Sequence, residues 1–179
     1  MSQIDEPRVE VFGADEQTAE PVDVLRWVRL ARLVLEEERV TGEAELSLIF
    51  VDQQTITDLN VRFLGGSGPT DVLAFPMDDD VVLGGRQPDQ GGRGPGAPSE
   101  PADPPLLLGD VVICPTVARR QAEERNIAID DEIALLVVHG VLHLLNYDHA
   151  EDEDTVQMQR RERELLEKFR QTDDGNEGG

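Results

Sequence analysis

The stretch HGVLHLLNYDH, residues 139–149, holds all three histidines of a 179-residue chain. His139 and His143 stand four residues apart in DDEIALLVVHGVLHLL (130–145), whose apolar spacing predicts a helix. Residues i and i+4 share one helix face, about one turn apart, so two imidazoles at this spacing can reach one ion. The helix is expected to end near Asn146, because Asn tolerates the left-handed conformation common just past a helix terminus. A turn there lets the chain double back and present His149. Three imidazoles around a dication leave a fourth position for water, as in a catalytic zinc site; structural zinc has four protein ligands. A histidine on an apolar helix is more often simply packed, and HxxxH alone is common by chance. The third histidine just past a turn, and the absence of histidine elsewhere, carry the metal reading. Asp148 suits either of two roles, orienting a histidine or capping the turn.

The same offsets occur in the metzincin pattern HExxHxxGxxH, where the glutamate is the general base of a peptidase. Here the second position is Gly140, and Asn146 replaces the turn glycine. The ligand spacing is zincin-like, but the proton acceptor of a peptidase is missing.

The elements that must position these residues are legible along the chain. PRVEVFG (7–13) alternates as a short strand. Residues 22–40 form a helix with Val22, Leu25, Val28, Leu30, Leu33 and Leu35 in a broad stripe and Trp27 beside it. AELSLIFVD (44–52) reads as a strand. Asp52 suits the N-cap of a helix over QQTITDLNVRFLG, which Gly65 and Gly66 terminate. Strands follow over 71–77, ending near Pro76, and over 106–115, then a helix over 116–126. In the 130–145 helix, Asp130, Asp131 and Glu132 complement the dipole at its start. A last helix spans 152–170, with Val156, Leu165, Leu166 and Phe169 available to pack. Residues 78–105 are rich in Gly, Pro and Asp and predict a disordered insertion; the tail 171–179 is expected to be disordered too. The length predicts a single domain over 1–179 with a core of about 5–170.

Composition narrows the function classes. Apolar runs fall short of a membrane span, and the first residues lack a secretory pattern. Cys114 is the only cysteine, so no intrachain disulfide forms and no cysteine cluster holds a metal. A cytoplasmic protein is expected. The formal charge of −22 means that the overall field does not attract nucleic acid, so an RNA site must be local. Lys168 is the only lysine among sixteen basic residues.

HGVLHLLNYDH is similar to the HGxLHLxGYDH motif of the YbeY family of endoribonucleases, differing at Asn146. Two more stretches resemble that family in the same order. LNVRFLGGSGPTDVLAFPM (59–77) resembles its N-x-x-R followed by TDVLSFP, with Ala74 in place of serine. LGDVVICP (108–115) resembles its LGDIxIs strand. The resemblance implies an α+β single domain of zincin-like fold, with a small mixed β-sheet packed against helices and the metal on the HxxxH helix. It implies one metal ion, zinc, held by His139, His143 and His149, with other divalent transition metals also accepted by such a set. Arg62 corresponds to the family's functional arginine, and Arg62 and His139 are the expected catalytic residues. The implied activity is cutting single-stranded RNA, not DNA, in ribosomal RNA maturation at the small-subunit 3′ end and in ribosome quality control. The implied partners are ribosomal RNA and the small ribosomal subunit with its proteins; no membrane is expected.

From the residues alone, Arg62 could clamp a phosphate or simply favour a helix C-terminus. Thr70 and Asp71 could line a substrate groove or cap and turn the chain. Asp110 could brace Arg62 or a ligand, or pair structurally. Two other function classes compete with the nuclease: a peptidase-like zinc hydrolase, disfavoured by Gly140, and a ribosome assembly factor with a mainly structural metal.

Overall fold

The computed structural model describes residues 9–40, 43–76, 106–145 and 152–177. The expected insertion over 78–105 and the residues Asn146, Asp148 and His149 lie outside the described residues. The elements run β1 (Val9–Asp15), α1 (Val24–Glu37), β2 (Ala44–Phe50), α2 (Gln53–Leu64), β3 (Val72–Pro76), β4 (Leu106–Ile113), α3 (Pro115–Arg125), α4 (Ile129–Leu144) and α5 (Asp152–Glu177). No helix among the described residues is long and apolar enough to cross a membrane.

The sheet is mixed, with strand order β1-β2-β4-β3. β1, β2 and β4 are parallel, and β3 runs antiparallel to β4 at one edge. The parallel β1–β2 pair needs a crossover, which α1 supplies. Strand alternation separates two apolar layers. Leu46, Leu48 and Phe50 of β2 and Val111 and Ile113 of β4 face α1, α4 and α5 in the main core. Val112, Leu73 and Cys114 face the other way, toward Ile56 of α2 and Val117 of α3. Burial pushes the Cys114 thiol above its usual pKa.

Gly109 lies where β4 slips register against β2, between Glu45 and Leu46. Its φ is 135°, and an added Cβ would stand 2.2 Å from the Phe75 carbonyl oxygen of β3. Only glycine fits both the conformation and the close backbone approach.

Several expectations from sequence hold in detail. Asp52 caps α2, its Oδ1 accepting from Thr55 N–H at 2.8 Å, which holds the carboxyl below its usual range. Gly65 ends α2 in the left-handed conformation at φ 69°. Others are corrected. The buried face of α1 is Trp27, Leu30, Ala31, Val34 and Leu35, while Leu25 is 72% exposed. Trp27 is the bulkiest side chain available, and turning it inward carries the smaller Leu25 out. In α5, Met158 is buried and Val156 is exposed. Residues 171–177, expected to be disordered, continue α5 to Glu177. Asp173 draws them onto α1 through Arg26 at 3.0 Å and Arg29 at 3.6 Å.

The first-turn acids of α4 divide. Asp130 meets Arg26 at 2.9 Å on the surface. Glu132 is fully buried, with Arg125 Nη1 3.1 Å from both carboxylate oxygens. Oriented with its amide nitrogen inward, Gln121 donates to Glu132 Oε1 at 3.0 Å and to Asp71 Oδ2 at 3.1 Å. Burial raises the Glu132 pKa, Arg125 opposes the rise, and Asp71 adds to it. The folded chain therefore binds this proton more tightly than the unfolded chain does. That contribution is fully present below the unfolded value of about 4.3 and is lost as pH rises through the folded value. Glu132→Gln removes the linkage. In urea unfolding of both proteins between about pH 4 and pH 7, the stability difference should move in favour of the variant as pH rises. A pH-independent difference would show that Glu132 titrates alike in both states.

Candidate metal centre

Helix α4 is apolar nearly all round because it is covered nearly all round. Ile133, Ala134, Leu136, Val137, Val138, Gly140, Val141, Leu142 and Leu144 are buried. Leu135, His139 and His143 are only partly buried, and they follow one another at i, i+4 and i+8. The two histidines thus occupy the accessible line of an otherwise enclosed helix.

Their rings meet edge to face, with centroids 4.5 Å apart and planes at 72°. The Nε2 atoms are 3.0 Å apart. Two nitrogens each about 2.0–2.1 Å from a tetrahedral zinc stand roughly 3.3 Å from one another, so this pair is set near the bite of a single ion. On its other side, His139 Nδ1 lies 2.6 Å from Glu162 Oε2 of α5. A hydrogen on Nδ1 donated to that carboxylate leaves Nε2 as a lone-pair donor, which suits metal ligation. Among the described residues no three His, Cys, Asp or Glu side chains form a complete metal site. The described part of the site supplies two of the three expected ligands, and the expected third is His149.

Glu162 was not singled out by sequence. Its signal is a charged residue in an apolar stripe: Met158, Glu162, Leu165 and Phe169 recur at helical spacing and are all buried.

Gly140 has a steric explanation. A Cβ there would stand 2.6 Å from Val111 Cγ1 and 3.2 Å from Val72 Cγ2. The helix lies against β3 and β4 at this point, with no room for the glutamate that a peptidase carries.

The second group of expected residues lies on the other layer. Arg62 is exposed in the last turn of α2. Beside it Phe63, 60% exposed, sits edge-on to Phe75 of β3 with centroids 6.0 Å apart. Asn60 clamps the following loop, donating from Nδ2 to the Gly68 carbonyl at 2.8 Å. Asp110 is in register with Ser47 and Phe75 and so points to this same face, away from the histidines. Arg62 itself is placed by the end of α2, one residue before the Phe63–Phe75 contact with β3. Asp71 takes the structural role. Its Oδ1 accepts from Val72 N–H at 2.7 Å, its carbonyl accepts from Cys114 N–H at 3.0 Å, and its Oδ2 faces Gln121. Thr70 bonds to the Asp71 carboxylate at 3.4 Å.

Helix propensity alone favours Gly140→Ala by about 1 kcal/mol. Val111 is a stiff β-branched side chain in a closed core, so the added methyl should reverse that sign. A net loss of roughly 1–3 kcal/mol is expected from overpacking, measured by urea unfolding. Stabilisation by the alanine would refute the close approach.

The family model described as Endoribonuclease YbeY matches residues 13–170. The chain is 46% identical over 156 residues to Endoribonuclease YbeY of Frankia casuarinae, covering 87% of this chain and 72% of that one. It is 46% identical over 152 residues to the protein of the same name from Thermobifida fusca, covering 85% and 89%. For the Salinispora tropica protein the identity is 45% over 159 residues, covering 89% and 95%. The solution structure of TM1509 from Thermotoga maritima shares the fold, with a TM-score of 0.57 at 24% identity over 94% of this chain and 93% of that one.

Proposed function

The chain belongs to the YbeY family of endoribonucleases, and from that premise we propose that it cuts single-stranded RNA in ribosomal RNA maturation, using one divalent metal ion. The observation that carries the metal part is the convergence of His139 Nε2 and His143 Nε2 to 3.0 Å on the accessible line of α4. Imidazole donors suit zinc, which we assign, and the same set accepts nickel, cobalt or copper. His149 is the third ligand in this reading. A bound dication would supply Lewis acidity at a phosphoryl oxygen and acidify water.

The remaining chemistry falls to the chain's own groups. His139 and His143 would hold the ion from the accessible line of α4. Arg62 would pair with a phosphate and offset its charge, and Phe63 offers an exposed ring on which a base can stack. The preference for single-stranded substrate follows the motif resemblance, and an exposed ring such as Phe63 suits an unpaired base. The net charge of −22 makes RNA affinity depend on this local surface. We assign the small-subunit RNA 3′ end as target, the small ribosomal subunit as partner and the cytoplasm as location, in line with the motif resemblance. A peptidase reading is disfavoured because Gly140 provides no general base.

The test is cleavage of single-stranded RNA by the untagged full chain after chelator treatment and Zn2+ add-back. Activity should vanish on metal removal and return on addition. His139→Ala and His143→Ala, if folded, should each lower the rate by about 100-fold or more, as loss of a transition-state charge stabiliser does. Arg62→Ala should lower the rate about tenfold or more while keeping the metal. Wild-type cleavage by His143→Ala would sink the assignment of the active site. Product ends with a 2′,3′-cyclic phosphate would mark the RNA 2′-OH as the nucleophile.

A further inference from the structure

One face of α5 consists of Met158, Glu162, Leu165 and Phe169, with relative exposures of 0%, 7%, 1% and 6%. A carboxylate in such a stripe loses hydration and persists only with a strong partner. The adjacent cation does not fill that role. Arg161 turns to α1, donating to Glu38 Oε1 at 2.6 Å and to the Glu37 carbonyl at 3.0 Å. Those bonds, together with the buried Met158 and Leu165, fix the rotation of α5 about its axis. Glu162 is thereby aimed at α4, where its Oε2 lies 2.6 Å from His139 Nδ1. The opposite nitrogen of the same ring is the one 3.0 Å from His143 Nε2. The carboxylate, the imidazole and the point of convergence therefore lie in series.

We propose that Glu162 is the positioning residue of the metal centre: it fixes the tautomer of His139 and sets a negative charge behind the ring. The inference rests on the metal reading above. A carboxylate accepting Nδ1–H keeps the Nε2 lone pair directed at the ion and strengthens it as a donor. It also restricts rotation of the ring, so that one ligand is already oriented before the ion arrives. A structural tie between α4 and α5 would need the same hydrogen bond, but would leave ion affinity unchanged.

The experiment uses the untagged full chain, stripped of metal and titrated with Zn2+ against a chromophoric chelator. The wild type should bind one ion. Glu162→Gln preserves shape and can still accept from Nδ1–H, so His139 should keep its tautomer while Zn2+ binds about tenfold more weakly. Glu162→Ala should weaken binding further, up to about 100-fold, and shift the His139 ring toward Nε2–H in 15N NMR spectra of the metal-free protein. Glu164→Gln, which removes an exposed charge two residues away, should leave affinity within about twofold and control for the change in net charge. Wild-type Zn2+ affinity in folded Glu162→Gln would overturn the inference. So would reduced stability as the sole change. If Glu162→Ala fails to fold, the near-isosteric Gln variant decides. A wild type that binds no Zn2+ or Co2+ would instead overturn the metal reading, and the inference with it.

Discussion

Helix α4 reaches the sheet at Gly140, where a single added carbon would stand 2.6 Å from Val111 Cγ1, and this closeness sets the depth of the other layers. With α4 pressed onto β3 and β4, its remaining sides are open to α1, α3 and α5, and the main core closes around it. The helix is left with one accessible line, and the histidines lie on it. The glycine beside His139 thus has an architectural cause. It excludes the glutamate of a peptidase by geometry.

Two buried carboxylates face α4 or belong to it, and they differ in what surrounds them. Glu132, at its start, is met by a guanidinium and an amide, and shares Gln121 with Asp71. It joins α3, α4 and the first residue before β3 into one polar knot. Glu162 comes from α5 and meets an imidazole near the other end of α4. Donors surround the first charge and limit the harm of its burial. The second stands against a ring whose far nitrogen is directed at its neighbour. The chemistry of a buried acid here follows from which group it faces, with burial itself being common to both.

Much of this was legible in the sequence because it is local. The order of strands and helices, the Asp52 cap, the Gly65 stop and the i, i+4 histidine pair all depend on residues close along the chain. What was not legible depends on rotation and on distance. The face of α1 turns on how Trp27 competes with Leu25 for the core, which only the packing decides. The extension of α5 past residue 170 requires Asp173 to find Arg26 and Arg29 on another helix. Glu162 is 23 residues beyond His139, and its polar identity hid it inside an apolar stripe. Asp71 suits a groove or, more commonly, a turn; three-dimensional pairing with Cys114 and Gln121 makes it a fastener. The place of Arg62 at the end of α2 was legible from the Gly65 stop, which is again a local signal.

The buried position of Cys114 carries a consequence of another kind. It is the only thiol of the chain, fully enclosed between β4 and α3, and its burial disfavours the thiolate. Thiophilic ions such as copper(I) or cadmium(II) are captured by thiolates in preference to nitrogen donors. Here they meet no open thiolate. Burial and the raised pKa together make this sulfhydryl a poor partner for oxidants and thiophilic ions alike.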